Sequence, residues 1–342
     1  MKRLVLHIGA PKTATKLLQK KLFNHLDQIG VINFLGKNSS SPYEKLTKNF
    51  IQSIKNRDDI KCHPIIKLFK DDVVNLISDE SLSTGHEDLD FVNESSYTPL
   101  ISLPFALSQL EKIGIKVNVV YVIRSQVTLV PSEFVEGYGL RYKFFPKTNN
   151  LKSFMESSMR FSLLYSHTFH FFEVYKKISN TIGRSNVSCI LYEDLLGSHN
   201  EFCNSLCEIL NIPEAVSKEI DLSKREHSTK LKKDRMCASR HIWFGMAVRL
   251  EAHPFIRRRV VNIKKNIDAI ASVKSHRTRR NILTHLVKIT LWLDKIFPCK
   301  EIENLSSEEK KVLLKYFSAS NAELFEQCGI PRLKAIKYKY II

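Results

Sequence analysis

The sequence has no long apolar run and no paired cysteines, and each absence removes a class of protein. No stretch of its 342 residues reaches the roughly 18 uninterrupted apolar residues that a membrane-spanning helix needs. The opening run LVLHIGA is short and leads into a proline and a lysine without a cleavage-site pattern, so no signal peptide is expected. Seven scattered cysteines without metal-ligand spacing indicate a reducing compartment rather than a disulfide framework. These features predict a cytoplasmic protein.

Acidic residues are scarce in one part of the chain. The sequence contains 53 Lys and Arg against 35 Asp and Glu, a net charge of +18, and residues 231–300 hold 17 of the basic residues but only 4 of the acidic ones. Such a segment favours anionic partners: phosphates, acidic glycans, nucleic acid or anionic lipid. The hydrophobic content of 43% is enough for one large core or two ordinary ones.

Short apolar runs alternate with stretches of helical spacing. The predicted strands are Arg3–Ile8, Asp72–Ile77, Lys116–Ile123 and Asn186–Leu191. The predicted helices cover residues 15–27, 97–113, 151–178, 201–210 and 306–328. Since strands and helices alternate along the chain, we expect an α/β fold built on a parallel sheet.

The loop between the first strand and the first helix reads LHIGAPKTATKLLQ. A Walker A loop has the pattern G-x-x-x-x-G-K-[ST]. Aligned from Gly9, Ala14 takes the second glycine position, Thr15 the lysine position and Lys16 the Ser/Thr position, while a lysine occurs earlier, at Lys12. Helix N-terminal amides remain to receive a phosphate, but the Mg²⁺ ligand is missing. The loop therefore suits chemistry in which the protein itself neutralises a phosphate leaving group.

This loop resembles the 5′-phosphosulfate loop of sulfotransferases that use 3′-phosphoadenosine 5′-phosphosulfate (PAPS). Lys12, Thr13, Thr15 and Gln19 match that family's pattern. The resemblance implies that the nucleotide-binding loop consists of Gly9, Ala10, Pro11, Lys12, Thr13, Ala14, Thr15 and Lys16. Alanine in place of the family's glycine at position 14 is a mild change unless the backbone there needs a positive φ. Lysine at position 16 removes a hydroxyl but adds a positive charge.

A second match lies further along the chain, in YVIRSQVTLVPSEF. The family binds the 3′-phosphate with an arginine at a strand end and a serine eight positions later, which here are Arg124 and Ser132. Three weaker matches to segments of the family follow in the same order along the chain: ISDES at 77–81, ILYEDLL at 190–196 and YFSASNAEL at 316–324. The last of these resembles the bacterial carbohydrate-type members.

The resemblance implies a fold and a division of the chain. We expect a three-layer, P-loop-type parallel sheet flanked by helices, with an added basic helical segment. Residues 1–230 would form the PAPS-binding core, residues 231–305 the basic segment, and residues 306–342 a helix packing back on the core.

The reaction that the resemblance implies is in-line transfer of the sulfuryl group from PAPS to a hydroxyl or amine, without a metal. Lys12 would stabilise the leaving group, and Glu80 or, as second choice, His86 would accept the acceptor's proton. His7, Glu193 and Asp194 are predicted to be structural. The segment HSTKLKKDR lies where the family folds a basic loop over the nucleotide. Its candidates for the 3′-phosphate are Lys230, Lys232, Lys233 and Arg235.

Two other functions stay open at this point. A P-loop kinase would need Mg²⁺ and a Walker lysine, and a basic binding protein with a silent loop would explain the substitutions at positions 14 and 16. The expected acceptor is a carbohydrate or glycolipid, itself anionic, and no specific nucleic acid is expected. Residues 236–300 are either solvated helical faces or a surface for an acidic acceptor or a membrane periphery.

Overall fold

A computed structural model of the protein describes residues 2–36, 43–84, 99–134, 150–159, 168–197, 199–213, 216 and 304–342. The chain divides into two compact units. The first contains residues 1–130, 155–226 and 306–342, and the second contains residues 131–154 and 227–305. Most of the basic segment falls outside the described residues, so its helical character stays a prediction.

The first unit is built on a sheet of five parallel strands. They are β1 (Arg3–Gly9), β2 (Ile32–Phe34), β3 (Val74–Ser78), β4 (Lys116–Ile123) and β5 (Val187–Leu191). Their order across the sheet is β2-β3-β1-β4-β5. The predicted α/β fold with a parallel sheet is therefore confirmed. Only β2 was not predicted from the sequence, because three residues are too few to show a periodic pattern.

Helices connect and cover the strands. They are α1 (residues 15–28, in which Leu18–Phe23 is a π-helical turn), α2 (Glu44–Asn56), α3 (Ser81–Thr84), α4 (Pro99–Lys112), α5 (126–134), α6 (Leu151–Met159), α7 (Phe171–Ile182), α8 (Tyr192–Gly197), α9 (His199–Ile209), α10 (Ser307–Gln327) and α11 (Arg332–Lys337). A 3₁₀ turn covers Pro64–Leu68.

The single helix predicted over residues 151–178 is wrong. The chain forms α6 and α7 instead, and residues 168–170 between them are not α-helical. His170 has φ −95° and ψ 66°, which ends any continuous helix at that point. The apolar spacing continues across this break because Phe169, Phe171 and Phe172 are all buried in the core. A pattern of buried aromatic residues therefore looked like one helix.

Alternating side chains of the sheet pack into two different helical layers. Val120 and Val122 of β4 lie in a buried cluster with residues of α1 and α9, such as Leu22 and Phe202. Tyr121, between the two valines, points to the opposite face, where its ring meets Phe171 of α7 at 6.1 Å between centroids. Successive strand residues face opposite sides of a sheet, so the sheet is covered on both faces. This confirms the three-layer arrangement.

The strand order places the reversal of winding between β1 and β4, at the centre of the sheet. β1 lies between β3 and β4 and pairs with both in parallel register. The chain leaves β1 towards β2 on one side and leaves β4 towards β5 on the other. In open α/β sheets, ligands bind outside the carboxyl ends of the two strands at which the direction of winding reverses. The loops that follow β1 and β4 therefore border the expected ligand site.

Helix α10 begins at the predicted serine. Ser306 accepts a hydrogen bond from the amide of Glu309, whose side chain bonds back to the amide of Ser306, forming a capping box. Phe317 and Leu324 of this helix are buried. None of the helices that the structure describes has the length and apolar content to cross a bilayer.

Candidate active site

The loop after β1 is folded tightly upon itself. The amide of Ala10 donates to the carbonyl oxygen of Val122 on β4 at 2.9 Å, and the Thr13 hydroxyl donates to the carbonyl oxygen of Ala10 at 2.6 Å. A Cβ atom on Gly9 would lie only 2.7 Å from the Thr13 hydroxyl oxygen. The turn therefore requires glycine at position 9, because any side chain would displace the hydroxyl that closes the loop.

Two residues of this loop adopt the left-handed backbone conformation. Lys12 has φ 63° and Ala14 has φ 62°, and Thr13 between them does not have a positive φ. In protein structures, turns with residues of alternating conformation point successive amides to one side, where they bind anions. Ala14 is also the N-cap of α1 and offers no side-chain bond to that helix. The amides at the start of α1, which have no partner within the helix, therefore face the loop.

The conformation of Ala14 decides a question that the sequence left open. Substitution of glycine by alanine at this position would be mild only if the backbone were helical, and φ 62° is not helical. An L-residue in this region is strained by roughly 1–2 kcal/mol, whereas glycine adopts the same conformation without strain. Ala14 is therefore a strained residue in the loop.

Thr15 carries a buried hydroxyl group. The residue is 3% exposed, and its Oγ1 atom makes no hydrogen bond within the part of the chain that the structure describes. Leaving a buried hydroxyl unsatisfied costs about 1–3 kcal/mol, so this group is suited to a ligand atom. The hydroxyl of Thr13, in contrast, is already bonded inside the loop. Of the two threonines, Thr15 is the one poised to meet an oxyanion.

Arg124 lies directly after β4 and reaches the loop. Its Nη1 donates to the carbonyl oxygen of Lys12 at 3.2 Å, and its Nε donates to the hydroxyl of Thr128 at 3.0 Å. The guanidinium carbon lies 5.0 Å from the centre of the Tyr192 ring, which follows β5. The structure thus brings together Arg124 and the loop of Lys12, although 112 residues separate them. Exposed Lys12 and Lys16 add two further positive charges to this edge.

Glu80 lies at the same edge, two residues after β3. The backbone around it is fixed, because the Ser83 hydroxyl donates both to the carbonyl oxygen of Glu80 at 3.0 Å and to that of Gly9. The amide of Asp79 donates to the carbonyl oxygen of His7 at 3.0 Å, which joins this turn to β1. Glu80 itself is half-buried. The backbone of Glu80 therefore lies beside the loop of residues 9–16, here called the anion loop, on a turn that is bonded to β1.

A comparison with known families shows the family of the chain. The family described as "Sulfotransferase domain" matches residues 3–268. The chain belongs to the sulfotransferase family. The matched range covers β1 to β5 and includes both the anion loop and Arg124.

Three solved structures are similar to this sulfotransferase at 14% sequence identity. The first is a sulfotransferase from Alicyclobacillus acidocaldarius, with a TM-score of 0.39, covering 72% of this chain and 94% of that one. The second is a mouse sulfotransferase complexed with PAP, with a TM-score of 0.35 and coverage of 64% and 62%. The third, the sulfotransferase domain from the curacin biosynthetic pathway, has a TM-score of 0.32 and coverage of 62% and 75%. None of the curated proteins compared with the chain matches it.

Behind the anion loop of the sulfotransferase, His7 belongs to a buried polar network. Its Nδ1 lies 2.8 Å from the Ser78 hydroxyl, which also accepts from the Gln19 side chain at 3.1 Å. Gln19 donates to the carbonyl oxygen of Ser78 as well, at 2.9 Å. Complete burial lowers the pKa of His7 to about 3, so its imidazole is neutral. The network connects β1, α1 and β3, in agreement with a structural role for His7.

The two carboxylates after β5 hold the end of the sequence against the core. Glu193 accepts from the amide of Ser125 at 2.9 Å and from the Tyr340 hydroxyl at 2.7 Å. Burial raises the pKa of Glu193, and these two hydrogen bonds oppose that rise. Asp194 forms an ion pair with Lys334 at 2.7 Å. Their partners are elements of the fold, in agreement with structural roles for both carboxylates.

The roles of several other predicted site residues stay predictions. Ser132 is half-buried on α5 and falls in the second unit, and its role stays a prediction. Outside the described residues lie His86, Lys230, Lys232, Lys233 and Arg235. In the described part of the chain, no three His, Cys, Asp or Glu side chains are grouped so that they would share a metal ion.

Two residues near the site could not be identified from the sequence: Tyr192, which contacts Arg124, and Tyr340, which bonds to Glu193. Tyr192 lies under the Arg124 guanidinium, and the sequence marked it only as the first residue of YEDLL, part of a weak match to the family. Tyr340 gave no signal, because a tyrosine among lysines near the end of the sequence looks like an exposed residue. Its full burial follows from contacts with segments that are distant in the sequence.

Proposed function

We propose that the protein is a PAPS-dependent sulfotransferase that moves the sulfuryl group to a hydroxyl or amine of a carbohydrate or glycolipid. The observation that carries this proposal is the hydrogen bond from Arg124 to the carbonyl oxygen of Lys12. It joins the two cationic positions of the site, next to the Thr15 hydroxyl, which has no hydrogen-bond partner among the described residues. One nucleotide with phosphates at both ends of its ribose would satisfy all three groups.

The anion loop suits the 5′-phosphate of such a nucleotide. The amides at the start of α1 and the Thr15 hydroxyl would bind its oxygens, and Lys16 would add a point charge. Arg124 would bind the 3′-phosphate, with Ser132, Lys232, Lys233 and Arg235 as further ligands in the proposal. Guanidinium suits this task because it binds phosphate through two parallel hydrogen bonds.

Lys12 is the proposed catalytic cation. PAPS supplies a sulfuryl group on its 5′-phosphate, and negative charge develops on the bridging oxygen as that S–O bond breaks. The Lys12 ammonium and the loop amides would stabilise this charge, and one preorganised donor of this kind is typically worth about 3 kcal/mol. The new bond joins sulfur to the acceptor oxygen or nitrogen, so adenosine 3′,5′-bisphosphate and a sulfated acceptor leave the site. No metal is needed in this scheme.

Glu80 is the proposed base for the proton that the acceptor loses. It stands at the carboxyl edge of the sheet beside the loop, on a turn bonded to β1. A carboxylate within hydrogen-bond reach of the acceptor is sufficient for this role. His86, six residues later, is the second candidate. The carbohydrate or glycolipid class of acceptor is supported by the YFSASNAEL match and by the excess of basic residues in 231–300.

Ligand-induced thermal stabilisation and turnover together test the proposal. Adenosine 3′,5′-bisphosphate should raise the melting temperature by several degrees, since a ligand that binds only the folded state stabilises it, and ATP with Mg²⁺ or ADP should have less effect. Arg124→Ala should abolish this shift. Lys12→Ala should keep bisphosphate affinity within roughly tenfold but lose most turnover of labelled PAPS, because its main contact forms in the transition state.

Matched controls come from the opposite edge of the sheet. Lys116 is the first residue of β4 and Arg184 precedes β5, and both are exposed. Lys116→Ala and Arg184→Ala should therefore behave as the unaltered protein does. A stronger response to ATP with Mg²⁺ would favour a P-loop kinase. Bisphosphate binding without turnover on any glycan acceptor would favour the basic binding protein instead.

A further inference from the structure

The segment of residues 338–342, here called the tail, lies directly behind the strand end that carries Arg124. We propose that Tyr340 is a positioning residue for Arg124 and thereby sets the affinity of the site for the 3′-phosphate of its nucleotide. The inference rests on the proposed function, which assigns that phosphate to Arg124. Three steps of contact connect the tail to the guanidinium.

The first step is the fixed position of Tyr340 itself. Its side chain is completely buried, and its ring meets that of Phe325 on α10 at 4.9 Å between centroids. Its carbonyl oxygen accepts from the Asn321 side chain at 2.8 Å, and its amide donates to the carbonyl oxygen of Ala335 at 2.9 Å. Because the ring and the backbone of Tyr340 are both fixed by these contacts, the position of its hydroxyl group is fixed as well.

The second step is the carboxylate of Glu193, which bridges the tail to the residue after Arg124. One oxygen accepts from the Tyr340 hydroxyl at 2.7 Å and the other from the amide of Ser125 at 2.9 Å. Ser125 is bound to the tail a second time, since its hydroxyl donates to the carbonyl oxygen of Lys339 at 2.7 Å. Both the backbone and the side chain of Ser125 are therefore tied to this segment.

The third step is the aromatic ring against which Arg124 stacks. Tyr192 immediately precedes Glu193, and the Arg124 guanidinium carbon lies 5.0 Å from its ring centre. Glu193 thus anchors two neighbours of Arg124 at once: the peptide of Ser125 on one side and the Tyr192 platform on the other. A shift of the Glu193 carboxylate would move both, so the tail hydroxyl acts on the guanidinium through Glu193.

The charge of Glu193 makes this bridge sensitive to its donors. Burial raises the pKa of its carboxyl group, and the Ser125 amide, the Tyr340 hydroxyl and the Arg124 charge each lower it again. A buried carboxylate that loses a donor is partly unsatisfied, and it then reorients or gains a proton. Removal of the Tyr340 hydroxyl would therefore disturb the carboxylate without removing any group that touches the nucleotide.

The test compares two nucleotides that differ only in the 3′-phosphate. Calorimetric titration of the full chain gives the Kd of adenosine 3′,5′-bisphosphate and that of adenosine 5′-monophosphate. Tyr340→Phe should raise the Kd of the bisphosphate by about fivefold and leave that of the monophosphate within about twofold, in the range by which distant contacts alter coupling between sites. Ser125→Ala removes the hydrogen bond from the Ser125 hydroxyl to the carbonyl oxygen of Lys339. It should likewise reduce the preference of the protein for the bisphosphate over the monophosphate.

Tyr338→Phe is the matched control within the tail. Burial and the neighbouring Asp194 carboxylate raise the pKa of its hydroxyl to about 12, and Asp194 is paired with Lys334 and not with Ser125. Tyr338→Phe should therefore keep the nucleotide preference of the unaltered protein, even where its melting temperature falls. A selective loss in Tyr340→Phe and Ser125→Ala, absent from Tyr338→Phe, would establish the positioning role.

Two kinds of result would overturn the inference, and they are distinguishable. If Tyr340→Phe left both Kd values unchanged or weakened both nucleotides equally, Tyr340 would have only a structural role while the proposed function stood. If the unaltered protein failed to prefer the bisphosphate, or Arg124→Ala kept that preference, the proposed function would fall and the inference with it.

Discussion

At the scale of single residues, the anion loop combines one position that must be glycine with one that would be better as glycine. Gly9 has no room for a Cβ atom, since the Thr13 hydroxyl would be 2.7 Å away. Ala14 has room but adopts φ 62°, which favours glycine. Steric fit and backbone strain are different constraints, and the sequence alone does not reveal which applies at each position.

Replacement of the strained alanine should make the protein more stable. Ala14→Gly relieves the left-handed strain and should raise the free energy of unfolding by about 1 kcal/mol, measured by urea denaturation. Ala319, exposed on α10, is the matched control, and Ala319→Gly should lower stability by about 1 kcal/mol because glycine disfavours a helix interior. If Ala14→Gly lowered the free energy of unfolding as Ala319→Gly does, Ala14 would not be strained.

At the scale of secondary-structure elements, the buried network of His7, Ser78 and Gln19 positions the loop. It joins β1, β3 and the π-helical turn of α1, the three elements around the loop's base. Its histidine is neutral, because burial lowers the pKa to about 3 from an ordinary value of 6.5. In that interval the unfolded chain binds a proton that the folded protein does not, so stability decreases as pH falls from 6.5 towards 3.

A variant without the imidazole should lose this pH dependence. His7→Asn keeps one polar atom near the Ser78 hydroxyl but does not titrate. The stability advantage of the unaltered protein over His7→Asn should therefore shrink below pH 6.5 by up to about 1.4 kcal/mol per pH unit, measured by urea unfolding at several pH values. Ser78→Ala, in which the buried imidazole remains, should keep the original slope. An advantage that stays constant with pH would show that His7 is accessible to protons.

At the scale of the whole molecule, residues from distant parts of the sequence close the first unit. Gln126 and Asn321 are separated by 195 residues, and their side-chain amides bond to each other reciprocally, at 3.2 and 3.1 Å. Gln126 is 2% exposed and Asn321 is 1% exposed. This pair connects the start of α5, two residues after Arg124, with the middle of α10.

The buried amide pair should show energetic coupling. Gln126→Leu or Asn321→Leu alone leaves a buried amide partly unsatisfied and should cost about 1–3 kcal/mol, whereas the double variant should cost about 1–2 kcal/mol less than the sum. Urea unfolding of the four proteins gives the cycle. The exposed pair Gln52 and Asn56 on α2, bonded at 2.9 Å, is the control and should show little coupling. Additive losses in the buried pair would mean that the amides act independently.

The sequence by itself determined the class of fold, the place of the anion loop and the positions of Arg124 and Glu80 at strand ends. These features are local: a buried strand is a run of apolar residues, a helix start shows its cap, and a ligand loop lies between the two. The helix start at Ser306 could be predicted from the sequence for the same reason. The brief strand β2 was not, since three residues carry too little pattern.

Only the tertiary structure decided which of these local features meet. It brought Arg124 to the carbonyl oxygen of Lys12, placed the Tyr192 ring beneath the guanidinium and buried Tyr340 against Glu193. It also gave Ala14 its positive φ and left the Thr15 hydroxyl without a hydrogen bond to any of the described residues. The physical reason is that strand order and long-range packing bring distant residues together, and neither is encoded in the spacing of neighbouring residues.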